Sequence, residues 1–224
     1  MRVLIAGAGR AGIAVALHLR DAGHSVTLID RDPVVARRAA DQHGLVAITG
    51  DATEAELLRE AEVHRTDVVG AMLRRDADNL AVALLAQAAG CKRVMVRMRD
   101  ASYRPVYRAA GVQRVLSELD VYVGAFGTAL EHEAVRNALF VGHGTSVAFE
   151  MVVPADSVAV GRSVAEISAD QEFPESCVVA GMYSSGSQPQ KVRGSSVIEA
   201  GMSVLLVVPR GDLQSVISFF MRRR

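Results

Sequence analysis

The chain has 224 residues, with 25 Lys+Arg against 25 Asp+Glu, and half of its residues are hydrophobic. That composition is too apolar for a disordered chain, and balanced charge supplies no whole-chain field to draw nucleic acid or an anionic membrane. Two cysteines do not make a disulfide framework, and no apolar run approaches the ~20 residues that cross a bilayer.

From the amino terminus the sequence alternates short apolar runs with Ala/Leu/Arg-rich stretches. Met1–Ile5 runs straight into a glycine turn and does not read as a signal peptide. The runs Val3–Ala6, Val26–Ile29, Leu45–Ile48, Val68–Leu73, Arg93–Met98 and Arg114–Leu116 are predicted strands. Arg10–Ala22, Pro33–Gln42, Glu54–Ala61, Asp76–Ala89 and Ser102–Ala109 are predicted helices. Near-continuously apolar strands separated by helices imply a parallel sheet covered on both faces, and right-handed crossovers make it a Rossmann-type doubly wound α/β fold. Gly23, Gly44, Gly90 and Gly111 follow four of the helices, where a left-handed cap favours glycine, and Pro33 sits near the start of the second.

A further helix is predicted over 121–139, and Gly142-His143-Gly144 then breaks the chain. Beyond it the alternation is lost. Val147–Val153, Cys177–Tyr183 and Val204–Val208 read as strands, Ser184–Gln190 as an exposed polar loop and Arg222–Arg224 as a solvated basic end. The expected division is therefore 1–118, a helix and linker over 119–142, and a small α+β domain over 143–224.

The chemistry begins at Gly7-Ala8-Gly9-Arg10-Ala11-Gly12, a G-x-G-x-x-G hexapeptide between the first strand and the first helix. Gly7 allows the tight turn, Gly9 lets a pyrophosphate approach the backbone, and Gly12 lets the helix pack against the strand. The helix amino end adds unpaired N–H groups and a partial positive charge. The second strand ends at Asp30, eighteen positions after Gly12. A carboxylate there accepts from ribose hydroxyls and repels a 2′-phosphate, which favours NAD over NADP; Arg31 works against that preference. After the third strand, Asp51 is placed either to meet an adenine edge or to cap. Thr53 with Glu56 fits a capping box, and Asp76 and Asn79 fit caps of the next helix. Arg97 ends the fifth strand within reach of a phosphate. Residues 91–114 hold seven basic side chains against Asp100 alone, which suits an anionic ligand or a subunit contact better than RNA.

Catalysis has no comparable signature. Six histidines are scattered, Cys91 and Cys177 lack metal spacing, and H-E-x-x-H, C-x-x-C and G-x-S-x-G are absent.

These motifs, in the order Gly7–Gly12, Ile29–Pro33, Gly50–Thr53, Asp76–Leu80, Arg97 and Ser117-Glu118, resemble the regulator-of-potassium-conductance domains of the cytosolic subunits of Trk/Ktr-type potassium uptake systems. The resemblance is looser after residue 145, where Phe149–Val153, Gly161–Ser163, Glu166-Ile167 and Gly201 with Val204–Val208 match. Ala71–Arg75 departs from the family, which often has Ser or Thr there, and Met202 follows Gly201 where the family often has Asp. The resemblance implies a Rossmann domain, a crossover helix and a small ligand-responsive domain. It implies NAD or NADH, or alternatively ATP/ADP or AMP, held by Gly7, Gly9, Gly12 and Asp30. Asp51 and Ala52 would flank the adenine, and Arg97 would be a further contact; Ala11 and Arg31 border the same site. Arg10 would reach the terminal phosphate of a nucleotide held by a neighbouring subunit, and Glu118 would join a cation at a dimer interface. It further implies a non-enzymatic homodimer that assembles into tetrameric or octameric rings. These would lie in the cytoplasm, peripheral to the inner face of the plasma membrane, under a TrkH/KtrB-like potassium translocator, with no nucleic acid partner. A small NAD-dependent oxidoreductase and an NAD-responsive DNA-binding redox sensor are the alternatives.

Overall fold

A computed structural model describes residues 1–184, 187 and 190–224. The chain divides into two compact units, Met1–Glu118 and Leu119–Arg224.

In the first unit, six strands form one sheet in the order β3-β2-β1-β4-β5-β6, all parallel. They are β1 (Arg2–Ala6), β2 (Ser25–Asp30), β3 (Val46–Thr49), β4 (Val68–Ala71), β5 (Val94–Met98) and β6 (Arg114–Ser117). The helices between them are α1 (Arg10–Asp21), α2 (Pro33–His43), α3 (Ala55–Glu60), α4 (Asp76–Ala88) and α5 (Arg104–Ala109). Both faces are apolar because both are covered. Val3 and Ile5 of β1 join the core that includes Ala16 of α1 and Ala39 of α2. Leu4 and Ala6 join the opposite core, with Leu58 of α3, Val82 and Ala83 of α4 and Tyr107 of α5. Strand order reverses between β1 and β4, the switch point outside whose carboxyl ends sheets of this kind place their ligand crevice. Helix α2 starts as predicted, with Pro33 in its first turn and Asp32 accepting the Val34 N–H at 2.9 Å.

The second unit begins within α6 (Glu118–Tyr122), followed by a π turn (Val123–Gly127) and α7 (Thr128–Glu131). A four-stranded antiparallel sheet follows, in the order β7-β8-β10-β9: β7 (Val135–Val141), β8 (Ser146–Val152), β9 (Val178–Tyr183) and β10 (Ser203–Pro209). Helix α8 (Val164–Ser168) precedes β9 and α9 (Leu213–Met221) follows β10. Phe149, Met151, Leu206, Ile167, Ile198 and Phe220 are fully buried between them. Phe173 stands edge-on to Phe219 at 5.1 Å between centroids, a favoured aromatic geometry.

Two expectations are corrected here. The helix predicted over 121–139 stops at Glu131, and 135–141 is an edge strand. Ala138 pairs with Phe149 and Phe140 with Val147, so the apolar residues of this segment are used at strand spacing. The expected helix-and-linker segment 119–142 is therefore part helix and part sheet, and Gly142–Gly144 is the turn joining β7 to β8 rather than an interdomain break. Gly124 sits in the π turn where a Cβ would lie 3.1 Å from the Phe140 backbone nitrogen, so a larger residue there requires β7 to give way slightly. The basic end is exposed, as expected, and it is also tied down. Val158 N–H donates to the Arg222 carbonyl, Arg222 pairs with Glu172, and Arg223 pairs with Asp156 at 3.0 Å. In the loop expected over 184–190, Ser184, Ser187 and Gln190 are exposed, and the other four residues lie outside the described residues.

Candidate functional site

The turn between β1 and α1 is built by its glycines. Gly7 has φ +109°, donates its N–H to the Ile29 carbonyl at 2.7 Å, and abuts the next strand: a Cβ there would stand 2.9 Å from the Met72 carbonyl oxygen. At Gly12 a Cβ would fall 1.9 Å from the Gly7 carbonyl oxygen, so helix and turn touch backbone to backbone. Gly9 differs. A Cβ there would meet nothing within 4 Å. Gly9 also caps α1 without a side-chain acceptor, and no acidic residue occupies the first turn. The first N–H groups of a helix need partners, and this end offers open space and a positive dipole to an anion. Arg10 and Ala11 are exposed at the same end.

Asp30 faces this turn from the end of β2. Its Oδ2 accepts the Ala8 N–H at 2.8 Å and its Oδ1 accepts the Asp32 N–H at 3.0 Å. The carboxylate thus ties β2 to the glycine turn, a role that sequence reasoning missed. Each oxygen keeps a lone pair for a hydroxyl. The residues present fit an adenine nucleotide: a glycine cradle that a Cβ would fill, an uncapped helix end, and an oriented acid.

At the end of β3, Asp51 Oδ1 accepts both the N–H of Thr53, at 2.9 Å, and its hydroxyl, at 2.7 Å. These bonds, with a smaller contribution from Arg31, hold the Asp51 carboxyl below the usual carboxylate range. The expected Thr53–Glu56 capping box does not form. The helix starts one residue later, at Ala55, and Glu56 pairs with Arg59 instead. Ala52 is buried and Arg31 exposed beside the same edge.

The other side of the crevice is organised by two polar residues expected only as caps. Asn79, fully buried, accepts the Leu73 N–H at 2.7 Å and donates to the Leu73 and Arg97 carbonyls at 3.2 and 2.9 Å. Asp76, 7% exposed, accepts the N–H groups of Arg99 and Asp100 and lies 2.9 Å from the Tyr107 hydroxyl. Leu73 apart, their partners lie on distant segments, so the sequence pattern shared with caps concealed them. Arg97 donates through Nη2 to the Leu73 carbonyl at 2.9 Å. Its Nε stands 3.9 Å from Glu118 Oε2, and Arg99 Nε approaches the same oxygen at 3.2 Å. The structure thus gathers Gly7–Gly12, Asp30, Arg31, Asp51 and Ala52 at the carboxyl ends of β1, β2 and β3. Arg97 and Glu118 lie at the ends of β5 and β6, where Glu118 faces two arginines. Among the described residues no group of three His, Cys, Asp or Glu side chains could hold a metal ion.

Neither cysteine is poised as a nucleophile. Cys91 is buried, and burial, with the Asp212 carboxylate, pushes the Cys177 thiol up to about 12. Iodoacetamide at neutral pH is therefore expected to label the native protein slowly and the urea-unfolded protein twice. Rapid native labelling in the mass spectrum would contradict this.

Among the described residues, no helix is long and apolar enough to cross a membrane. The family model for the TrkA-N domain matches residues 3–118, and that for the TrkA-C domain matches residues 148–221. A Trk system potassium uptake protein TrkA homolog of Methanothermobacter thermautotrophicus is 26% identical over 210 residues, covering 93% of this chain and 94% of the relative. A homolog of the same name from Archaeoglobus fulgidus is 30% identical over 225 residues, covering 98% of this chain and 50% of the relative, so the chain spans about half of that protein's length. The solved structure of the GsuK channel bound to NAD superposes with a TM-score of 0.67 at 18% identity, over 100% of this chain and 40% of that one, which is a likeness of fold. The two domain matches, in the order in which the two units are built, show that the chain belongs to the TrkA family, with a TrkA-N domain followed by a TrkA-C domain.

Proposed function

We propose that this chain is a nucleotide-responsive regulatory subunit of a Trk-type potassium uptake system. It binds NAD or NADH, or ATP, ADP or AMP, at the carboxyl edge of the six-stranded sheet, and controls a separate membrane-spanning potassium translocator from the cytoplasmic face. It carries out no reaction of its own. The observation that carries this reading is the glycine turn, uncapped helix end and Asp30 carboxylate assembled at the switch point of a TrkA-N domain. Gly7, Gly9 and Gly12 let the phosphates approach the backbone, with Arg10 and Ala11 at the helix end. Asp30 takes the ribose, Arg31, Asp51 and Ala52 border the adenine, and Arg97 fixes the far wall. A bound nucleotide controls a partner only if the two states of the assembly differ in affinity for it. Arg10, exposed beside the phosphates, supplies a contact whose strength depends on phosphate number. A cation at Glu118 would need carboxylates from a second subunit, because within one chain its neighbours are Arg97 and Arg99.

Calorimetry with NAD, ATP and ADP tests the assignment. Asp30→Ala is expected to weaken the bound nucleotide by about 1–3 kcal/mol through loss of charge-assisted hydrogen bonds. A melting curve of the same variant separates this from loss of the Ala8 tie. Unchanged affinities for all three would remove the assignment.

The subunit is proposed to act as a homodimer within a larger ring. Along the helical segment, Leu119, Tyr122, Val123, Phe126 and Leu130 are 50–76% exposed, a concentration of apolar surface that water penalises. Val135, which a helix running over 121–139 would carry, is buried in the second sheet instead. Light scattering at micromolar concentration is expected to report a dimer or larger species. Phe126→Glu is expected to weaken it at least about tenfold, the loss of one buried aromatic at an interface. A monomeric wild-type protein would exclude this surface as a stable contact.

A further inference from the structure

The basic stretch 91–114 does not form one patch. The fold sends Arg97 and Arg99 to the carboxyl edge of the sheet, where they meet Glu118. It sends Lys92, Arg93 and Arg114 to the amino edge, at the opposite ends of β5 and β6. There they line a cleft of about 120 Å³ with Gln87, Gln113 and the backbone at Gly111. Lys92 and Arg93 lie on the turn entering β5, and Arg114 is the first residue of β6. Gln87 is oriented from α4 by its Nε2 donating to the Gly111 carbonyl at 3.3 Å.

Three cations converge here, and no carboxylate is among the lining residues. Among the described residues, none of the three makes an ion pair. Arg93 Nη1 instead approaches the Met1 sulfur at 3.5 Å. One cation near the carboxyl ends of α4 and α5 would complement the helix dipoles. Three around one cleft repel one another, and an anion relieves that repulsion. The volume is well below the roughly 300–1,000 Å³ of sites that enclose whole drug-sized ligands, so the fit is to an oxyanion or a terminal phosphate group. Two guanidinium forks and an ammonium suit phosphate chemistry.

We propose that this cleft is a second ligand site, binding a phosphate-type oxyanion at the sheet edge opposite the nucleotide crevice. The oxyanion comes either from free phosphate or from the headgroup of an anionic lipid.

The test uses the full chain and a Lys92→Gln/Arg93→Gln/Arg114→Gln variant. All three side chains are exposed, so the variant is expected to melt as the wild type does. Arg114→Gln alone serves if it does not. Inorganic phosphate is titrated by calorimetry, and flotation is measured with vesicles of phosphatidylcholine alone or with phosphatidylglycerol. Saturable phosphate binding that falls at least about tenfold in the variant, or flotation only with phosphatidylglycerol that the variant loses, supports the site. The first result assigns free phosphate, the second the lipid headgroup. NAD and ATP affinity is expected to be equal in the two proteins, which keeps this result separate from the nucleotide assignment. Absence of both kinds of binding, or equal binding by wild type and variant, overturns the proposal.

Discussion

Gly12→Ala is expected to cost about 3 kcal/mol of stability and to abolish nucleotide binding. The added Cβ would stand 1.9 Å from the Gly7 carbonyl oxygen and 3.1 Å from its carbon. Both are backbone atoms, and Gly7 is itself held by its bond to Ile29 and by contact with Met72. Helix α1 must therefore move away from β1, and overpacking of this kind costs typically 1–3 kcal/mol. The same movement carries the helix end away from the phosphate position. Gly9→Ala provides the contrast. Its backbone, at φ −63° and ψ 177°, suits alanine, and its Cβ would meet nothing. Stability should change by less than about 0.5 kcal/mol. Affinity should still fall, because the methyl group enters the space through which a pyrophosphate approaches. Paired melting and calorimetric measurements check both. A Gly9→Ala protein with wild-type affinity would place the ligand elsewhere.

The sheet of the first unit was legible because its strands are buried on both faces, so each is a nearly unbroken apolar run, and because a glycine turn and an acid mark its switch point. The second unit was less legible at its start. Ala134, Val135, Ala138, Leu139 and Phe140 satisfy helical spacing as well as strand spacing, and pairing with β8 decides between them. Thr53 and Glu56 likewise carry the pattern of a capping box, and the competition is won by Asp51, two residues away, whose carboxylate takes both Thr53 donors. The ion pairs of the exposed Arg222–Arg224 end were not legible because Glu172 and Asp156 are distant in sequence. The common cause is that a local pattern names a capacity for hydrogen bonding, while the fold chooses the partner.

Asp76 shows this most clearly, and Asp76→Ala is expected to lower stability by about 3–4 kcal/mol. Its side chain accepts the Arg99 N–H at 3.1 Å and the Asp100 N–H at 3.0 Å, and lies 2.9 Å from the hydroxyl of Tyr107, which is fully buried. Truncation leaves these donors short of an acceptor, at about 1–3 kcal/mol for each buried one. Asp76→Asn is no rescue, because its amide turns a donor toward donors. Tyr107→Phe removes one partner and should cost only about 1 kcal/mol. The double variant should therefore be less destabilised than the sum of the singles. Tyr107 also gives the site a pH signature. Burial, and then its bond to Asp76, raise the phenol above its ordinary value of 10.0. The unfolded chain releases this proton first, so the contribution is complete below pH 10 and is lost as pH rises above it. Tyr107→Phe should flatten that alkaline loss. Because Asp76 anchors the end of β5, Asp76→Ala should also loosen Arg97 and Arg99, the arginines that face Glu118. Urea unfolding of the four proteins at neutral and alkaline pH checks the set. A loss below about 1 kcal/mol in Asp76→Ala would mean that water replaces the carboxylate and that the latch is not what holds the far wall of the crevice.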